Sequence, residues 1–465
     1  MFYQVPQHID NNKVFIVQRS EIEGRLDPKM ALYNRKVQNS LYPKVKLKDV
    51  LVCKPQYGAS EPGVPRSSIK EPRYIRITDI DEKGLISHDE LGATAKIIED
   101  KYILCENDIL IARSGATVGK AYIHKPALYD CFFAGYLIRF IINTDKALPE
   151  YIFTYTQLNA YKEWVNAIQR PSGQPNINSE EYQSLEIPLP NIERQQVIVD
   201  VIKSAYLQKK QKESEAKQLL DNVDAYILNE LGITLPEIKT DLKNRIFKVN
   251  RSELEERLDS TVYKDVIKLI SNNYDNVKLS SVAYINPTGT FKGKDIETPI
   301  SFIPMESIDE IYSEVSKLED TTIENASGFT KFKEGDLLWA KITPCMQNGK
   351  SAIAKNLTNG LGCGSTEFFV MRNKDERLAI EYLHVILHMK CVRETAMLYF
   401  GGSAGQQRVS SAFLENFNLP LPPKDKQIEI ANHVYTIRQK AKALQEEGKV
   451  LLEEAKRKVE SMIIG

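Results

Sequence analysis

The strongest alternation of apolar and polar positions lies in two long stretches, one closing each half of the chain. In the C-terminal stretch Val434, Ile437, Ala441, Leu444, Gly448, Leu451, Ala455, Val459 and Met462 recur at spacings of mostly three and four, with charged residues on the other faces. That is the seam of a coiled-coil helix, and Gly448 is its weak position. The earlier stretch runs Ile202, Ala205, Lys209, Lys212, Ala216, Leu219, Val223 and Ile227, and its middle, 208–215, is wholly polar. Two such helices in one chain predict an intramolecular antiparallel pair. Elsewhere the apolar runs are short. Residues 74–78 alternate as a half-buried strand does, and 109–112, 136–141, 337–340 and 368–371 read as further strands. Apolar residues at three and four over 149–164 and 378–399 predict helices.

The pattern repeats at long period. Ile187-Pro188-Leu189-Pro190 returns as Leu419-Pro420-Leu421-Pro422, and Gln195 returns as Gln427, each 232 residues on. FIVQRSEIEGRLD (15–27) faces FKVNRSELEERLD (247–259), and Val45-Lys46-Leu47 faces Val277-Lys278-Leu279, at the same offset. In the middle the register slips, as loops of changing length make it do. There residues 106–113 face 334–341, and Gly119-Lys120 faces Gly349-Lys350. The register returns at Cys131 and Cys363 and holds through Gly173-Gln174 and Gly405-Gln406. A period of that length marks a duplicated unit. The expected division is 1–190, 191–235, 236–422 and 423–465, with the second and fourth segments helical.

Composition narrows the function classes. A chain of 465 residues exceeds one core. No run of about 18 apolar residues predicts a membrane helix, and the first residues lack the apolar core of a secretion signal. The six cysteines are scattered, with no C-x-x-C pair, which favours a reducing cytoplasm over a disulfide frame or zinc ribbon. Lys+Arg and Asp+Glu are both 62, so a nucleic-acid surface must be a local basic patch.

Catalytic motifs are wanting. Ser114-Gly115-Ala116-Thr117-Val118-Gly119-Lys120-Ala121 approaches a phosphate loop, but its glycines stand one residue too close and Ala121 replaces the hydroxyl that would hold magnesium. His384 and His388 share a helical face without further ligands, so a structural role is expected. Asn286-Pro287-Thr288-Gly289 is not an amino-methyltransferase signature, and no nuclease carboxylate cluster stands out.

With that anatomy in view, Gly-Gln-Pro-Asn-Ile (173–177), Leu-Glu-Ile-Pro-Leu-Pro (185–190) and Glu193-Arg194-Gln195-Gln196 carry a resemblance, echoed by Gly405-Gln406, Leu419–Pro422 and Asp425-Lys426-Gln427. Nearly the whole chain resembles the specificity subunit of type I restriction-modification systems. Gln406-Gln407-Arg408 departs from the family's Gln-Pro-Asn after its first residue. The resemblance implies an α+β chain of two pseudo-repeated α/β target-recognition domains, joined by two long helices in an antiparallel coiled coil. Each domain would read one half of a split double-stranded DNA target. The helices would set the spacing and dock two modification subunits, which methylate adenine with S-adenosylmethionine. A restriction subunit would add translocation and cleavage driven by ATP with magnesium. This chain would hold no cofactor or metal, carry no catalytic residue and work in the cytoplasm, off the membrane.

The candidate DNA-contacting residues are those on charged or polar loops and at the ends of the repeated strands. They are Lys54, Tyr57, Ser60, Arg66, Lys70, Arg113, Ser114, Lys120, Gln174, Asn176, Lys341, Thr343, Lys350, Gln406 and Arg408. Tyr57-Gly58-Ala59-Ser60 looks like the Tyr-Gly-Thr/Ala-Ser loop of some family recognition domains. Arg and Lys suit phosphates or guanine, and Asn and Gln suit adenine. Two rival readings fit the same residues: a structural adaptor whose twin domains grip protein, and a nucleotide-binding enzyme using Gly115–Lys120.

Overall fold

Proline has no N–H to donate to a second neighbour, so a Pro-bracketed strand belongs at an edge. Both such runs obey. In the computed structural model, Glu186–Pro188 pairs antiparallel with Lys44–Lys46, Val45 facing Ile187. Asn418–Leu421 pairs antiparallel with Asp275–Lys278, Val277 facing Leu419. Among the described residues neither run has a second partner strand. Both members of each facing pair stand 232 residues from their counterparts, so the duplication is structural. The structure describes residues 16, 28–36, 40–81, 84–87, 91–169, 175–235, 268–402 and 406–464. The repeat of 15–27 in 247–259, together with Gly173, Gln174 and Gly405, lies outside the described residues, Ile16 alone excepted.

The chain divides into two compact units, Met1–Gln211 with Glu447–Gly465, and Lys212–Glu446. Each long helix therefore contributes to both units, where separate helical segments were expected. The first unit holds two four-stranded sheets. One has the order Gln56–Tyr57, Leu137–Phe140, Ile109–Ala112, Ala121–Ile123 and is antiparallel throughout. The other has the order Gly63–Pro65, Ala93–Ala95, Arg73–Ile75, Cys131–Phe133, with its last two strands parallel. Ile109–Ala112 is buried along its length. Successive side chains point to opposite faces. Leu110 and Ala112 pack toward Ile75, Phe133 and Leu137, while Ile109 and Ile111 pack with the helices around Tyr151, Trp164 and Ile198. A strand covered on both faces reads as a continuous apolar run, and this one does.

The second unit repeats the first sheet strand for strand and, in the other, the parallel pair, which here lies centrally and not at one edge. Ala283–Ile285, Phe368–Asn373, Leu337–Ala340 and Ser351–Ile353 form one sheet, and Glu319–Thr322, Pro299–Ile303, Leu361–Gly364 and Thr330–Lys333 the other. One equivalence read from sequence shifts by a residue. Cys131 clusters with Ile75 and Leu110, whereas Cys363 clusters with Ile300 and Ala326, apart from the cluster of Ile303 and Leu338. A slip of one residue on a strand turns a side chain to the other face. Cys363 thus corresponds to Phe132, not to Cys131.

Two expected helices are each broken. Residues 149–164 form Pro149–Tyr155 and Asn159–Ile168. Residues 378–399 form Ile380–His388 and Lys390–Met397, parted by Met389 at ψ 140°. Both pieces bury apolar side chains, so the periodicity continues across the break. The strand expected over 74–78 stops at Ile75, because the Asp79 carboxylate accepts the Arg76 N–H at 2.8 Å and turns the chain into the 3-10 turn Ile77–Asp79.

Gln195 and Gln427 explain the motif that follows each Pro-bracketed strand. Both are fully buried. The Gln195 side chain accepts the Leu148 N–H and donates to the Pro190 carbonyl, both at 2.8 Å. Gln427 does the same with Ala379 and Pro422, again at 2.8 Å. Each amide ties the start of a helix pair to the strand and the long helix, satisfying buried backbone groups that otherwise cost stability.

The first long helix runs Ile192–Asp221 and continues as Val223–Glu230; the second runs Lys424–Ile463. All the seam positions read from sequence are buried or half-buried. In the first unit Gly448 faces Lys209, whose Cγ would lie 3.3 Å from an added Cβ. In the second unit Ala216 and Ala441 share a buried cluster with Tyr312, Glu215 lies 3.9 Å from Lys440, and Glu230 2.6 Å from Lys426.

Candidate nucleic-acid interface

Where a strand buried on both faces runs out, its last residues pass from core to solvent, and a second segment stitched beside them makes a two-chain edge. Each unit builds one. In the first, Ile109–Ala112 ends at Arg113. The Ile177 N–H donates to the Arg113 carbonyl at 2.8 Å and the Gly115 N–H to the Pro175 carbonyl at 3.0 Å, so Ser114 and Asn176 lie side by side. In the second, Leu337–Ala340 ends at Lys341. The Val409 N–H donates to the Lys341 carbonyl at 2.9 Å and the Thr343 N–H to the Gln407 carbonyl at 2.9 Å, placing Ile342 beside Arg408. Backbone geometry is the same; side chains differ.

The first edge borders an open cleft of 690 Å³ whose walls include Tyr57, Ser60, Glu61, Arg76, Thr78, Arg113 and Tyr136. The Arg113 guanidinium lies 5.0 Å from the Tyr57 ring centre, and the Tyr57 hydroxyl accepts the Ser179 N–H at 3.1 Å. Three sequence candidates, Tyr57, Ser60 and Arg113, thus meet in one cleft beside Ser114 and Asn176. At the second edge the Lys341 ammonium lies 5.5 Å from the Phe369 ring centre, and the Thr343 hydroxyl accepts the Gln407 N–H at 3.2 Å. Arg408 is exposed and bonded to Glu367, with Nη2 at 2.7 Å and Nε at 2.9 Å. That hydrogen bond holds the Glu367 carboxyl below its ordinary range. Gln406 is exposed nearby in sequence.

Other candidates fall elsewhere. Lys54 and Lys70 are exposed and line no part of the cleft. Arg66 is buried, its guanidinium donating to the carbonyls of Leu91, Ile69 and Glu71 at 2.8, 2.5 and 2.6 Å and lying 4.3 Å from the Tyr129 ring centre. It braces a loop from inside. The Lys120 ammonium donates to the Ile80 carbonyl and Lys350 to the Met305 carbonyl at 3.2 Å; each lysine props the 3-10 turn of its own unit. Gln174 lies outside the described residues.

The phosphate-loop reading of 115–120 fails on its donors. A phosphate cradle needs free backbone N–H groups. Here those of Gly115, Val118, Gly119 and Lys120 donate to Pro175, Gly115, Ala112 and Thr117. The two histidines pack inside the second unit: His384 Nε2 lies 3.1 Å from the Ser351 hydroxyl and His388 Nε2 3.2 Å from the Glu310 carbonyl. Among the described residues no group of three or more His, Cys, Asp or Glu is placed to hold a metal, and no helix is long and apolar enough to cross a membrane.

Sequence reasoning passed over Arg76, Thr78 and Tyr136. The alternation of 74–78 put Arg76 on a strand face. The usable signal was Asp79 three residues on, whose carboxylate binds Arg76 Nε and Nη2, each at 3.0 Å.

Comparison with known proteins agrees with this plan. A family model described as the type I restriction modification DNA specificity domain matches residues 74–220 and 271–453, well over half of the chain. The chain is 35% identical over 168 residues to the specificity subunit of the type I restriction enzyme EcoEI of Escherichia coli, a match taking in 35% of this chain and 27% of that relative. The chain thus spans about a quarter of that relative's length. It is 20% identical over 375 residues to the MjaVIII specificity subunit of Methanocaldococcus jannaschii, covering 79% of this chain and 81% of that one. A solved structure from work on complex assembly and conformational transition of the type I R-M system shares the fold, with a TM-score of 0.52, 16% identity and coverage of 90% of this chain and 96% of that chain.

Proposed function

The chain belongs to the type I restriction-modification DNA specificity family, and from that membership we propose that it is the non-catalytic subunit that selects the DNA sequence for a methylating and cleaving complex. The observation that carries the reading is the repeated edge. Arg113–Gly115 stitched to Pro175–Ile177, and Lys341–Thr343 stitched to Gln407–Val409, share one backbone plan and carry different side chains. One plan with two sets of side chains suits two half-sites of different sequence, so the target is bipartite and asymmetric. A protein-gripping adaptor gives no reason for a cation at the same strand end in both units.

The long helices form an antiparallel coiled coil in this reading. Support comes from the second unit, where Glu215 pairs with Lys440 and Glu230 with Lys426: as one chain index rises, the other falls. The coil docks two modification subunits and sets the gap in the target. S-adenosylmethionine, ATP and magnesium belong to the modification and restriction subunits, and the complex works in the cytoplasm.

Salt dependence of binding tests the edge. If Arg113 and Lys341 hold phosphates, Arg113→Ala or Lys341→Ala in the complex weakens binding on every duplex. Each change lowers the slope of log affinity against log salt by roughly one. A variant with unchanged affinity and slope removes that residue from the interface.

A further inference from the structure

We propose that Arg76 reads a guanine in the half-site contacted by the first unit, with Asp79 as its positioning residue; the inference rests on the DNA-specificity reading above. Recognition of guanine in the major groove takes two coplanar N–H donors directed at O6 and N7. A free arginine side chain samples many directions, so reading a base needs the guanidinium held in plane. Asp79 holds it. Its carboxylate accepts from Arg76 Nε and Nη2, each at 3.0 Å, and from the Arg76 backbone N–H at 2.8 Å. The Asp79 side chain is 8% exposed, so the pair is anchored at its acidic end, whereas the Arg76 side chain is 43% exposed.

Planarity then settles what is left. The fork bound to Asp79 occupies one edge of the guanidinium, and the opposite edge, Nη1 with the second Nη2 hydrogen, points away. Among the described residues Nη1 meets no acceptor. Arg76 lines the cleft with Tyr57, Ser60, Thr78 and Tyr136, and Tyr136 is 64% exposed, so the cleft that Arg76 borders is open and partly aromatic.

Charge separates a base reader from a phosphate clamp. A phosphate contact draws on net positive charge. Arg76 is largely neutralised by Asp79, and Glu61 lines the same cleft. Both acids oppose a phosphate, and neither obstructs directed hydrogen bonds to a base edge. Arg113, stacked on Tyr57, is the cation of this cleft that suits a phosphate. The two units also diverge here. The turn Ile77–Asp79 is capped by Arg76, while the corresponding turn Met305–Ser307 is capped by Pro304. The second unit has proline and not arginine at this position, and the two half-sites need not share the guanine.

The test uses the full chain co-expressed with its modification subunits. The target of the unaltered complex is mapped by methylome sequencing. Binding is then measured on duplexes carrying each of the four base pairs at each target position, for Arg76→Ala, Arg76→Gln and Asp79→Asn. The expected result is a loss of roughly 10- to 100-fold in preference at a single G·C pair in both Arg76 variants. Asp79→Asn loses part of the preference at that same pair. Preferences elsewhere and the salt slope stay unchanged. Because the readout is base preference at one position, a merely structural role would not reproduce it, and Asp79→Asn carries the test should Arg76→Ala fold poorly. Intact preference at every position overturns the assignment. So does a uniform loss with a shallower salt slope, which marks a phosphate contact. An unaltered complex with no sequence preference sinks the specificity reading itself, a different failure from either of these.

Discussion

Gln195 and Gln427 each join three pieces of backbone through one buried amide. Gln195→Ala leaves the Leu148 N–H and the Pro190 carbonyl without their partner. Stranded buried groups cost about 1–3 kcal/mol each, so the first unit should melt several degrees lower than the parent; Gln427→Ala should do the same to the second unit. Calorimetry on the two variants checks this, and an unshifted transition would show that water replaces the amide. The histidines give a pH dependence. Burial, with a further push from the Arg438 charge, pulls the His384 pKa down from 6.5 to about 3 and holds His388 well below its ordinary value for the same reasons. Both are neutral when folded and charge on unfolding below about pH 6.5. The unfolded state then binds more protons, so stability is full above that pH and falls as pH drops below it. Melting at pH 7.5 and 5.5 should show the second unit losing stability, and His384→Gln with His388→Gln should flatten the loss. At this scale the sequence was only partly legible. Arg113 and Lys341 stood out because they end strands that are visible as apolar runs. Arg66, Lys120 and Lys350 look the same in a sequence, and only the fold shows their charges turned onto carbonyls.

Elements were legible where burial imposes a period. Ile109–Ala112 and Leu337–Ala340 run to the residues the apolar pattern marks, since both faces of each strand are covered. The pattern was silent where a side chain overrules the backbone, as Asp79 does in ending Arg73–Ile75, or where a break falls between two equally buried helices, as at Met389. Gly448, the weak position of the periodic pattern, is a close approach, with Lys209 lying across it. The long helices carry the element-scale prediction. One heptad inserted after Gln211 and one after Glu446 keeps the seam in register and adds about 10 Å of helix, close to three base pairs of duplex at about 3.4 Å each. The unspecified gap in the target should lengthen by about three base pairs, with the same bases read on each side and some loss of affinity from the added rotation. Methylation mapping of an active variant with an unchanged gap would show that these helices are not the spacer.

At the scale of the whole molecule, one plan is used twice with different contents. The edge strands, the glutamine ties and the stitched strand ends recur, while Arg76 faces Pro304, Asn176 faces Arg408 and the cleft loop 57–60 has no clear counterpart in sequence. A shared scaffold with unlike side chains is what the proposed reading of two unlike half-sites requires. The most direct measurement is the methylome of a host expressing this chain with its modification subunits. The expected result is methylated adenine in one asymmetric target, two short specified blocks separated by an unspecified gap of constant length, and no such methylation when this chain is omitted. A palindromic target, a single uninterrupted block, or the same methylation without this chain would contradict the account.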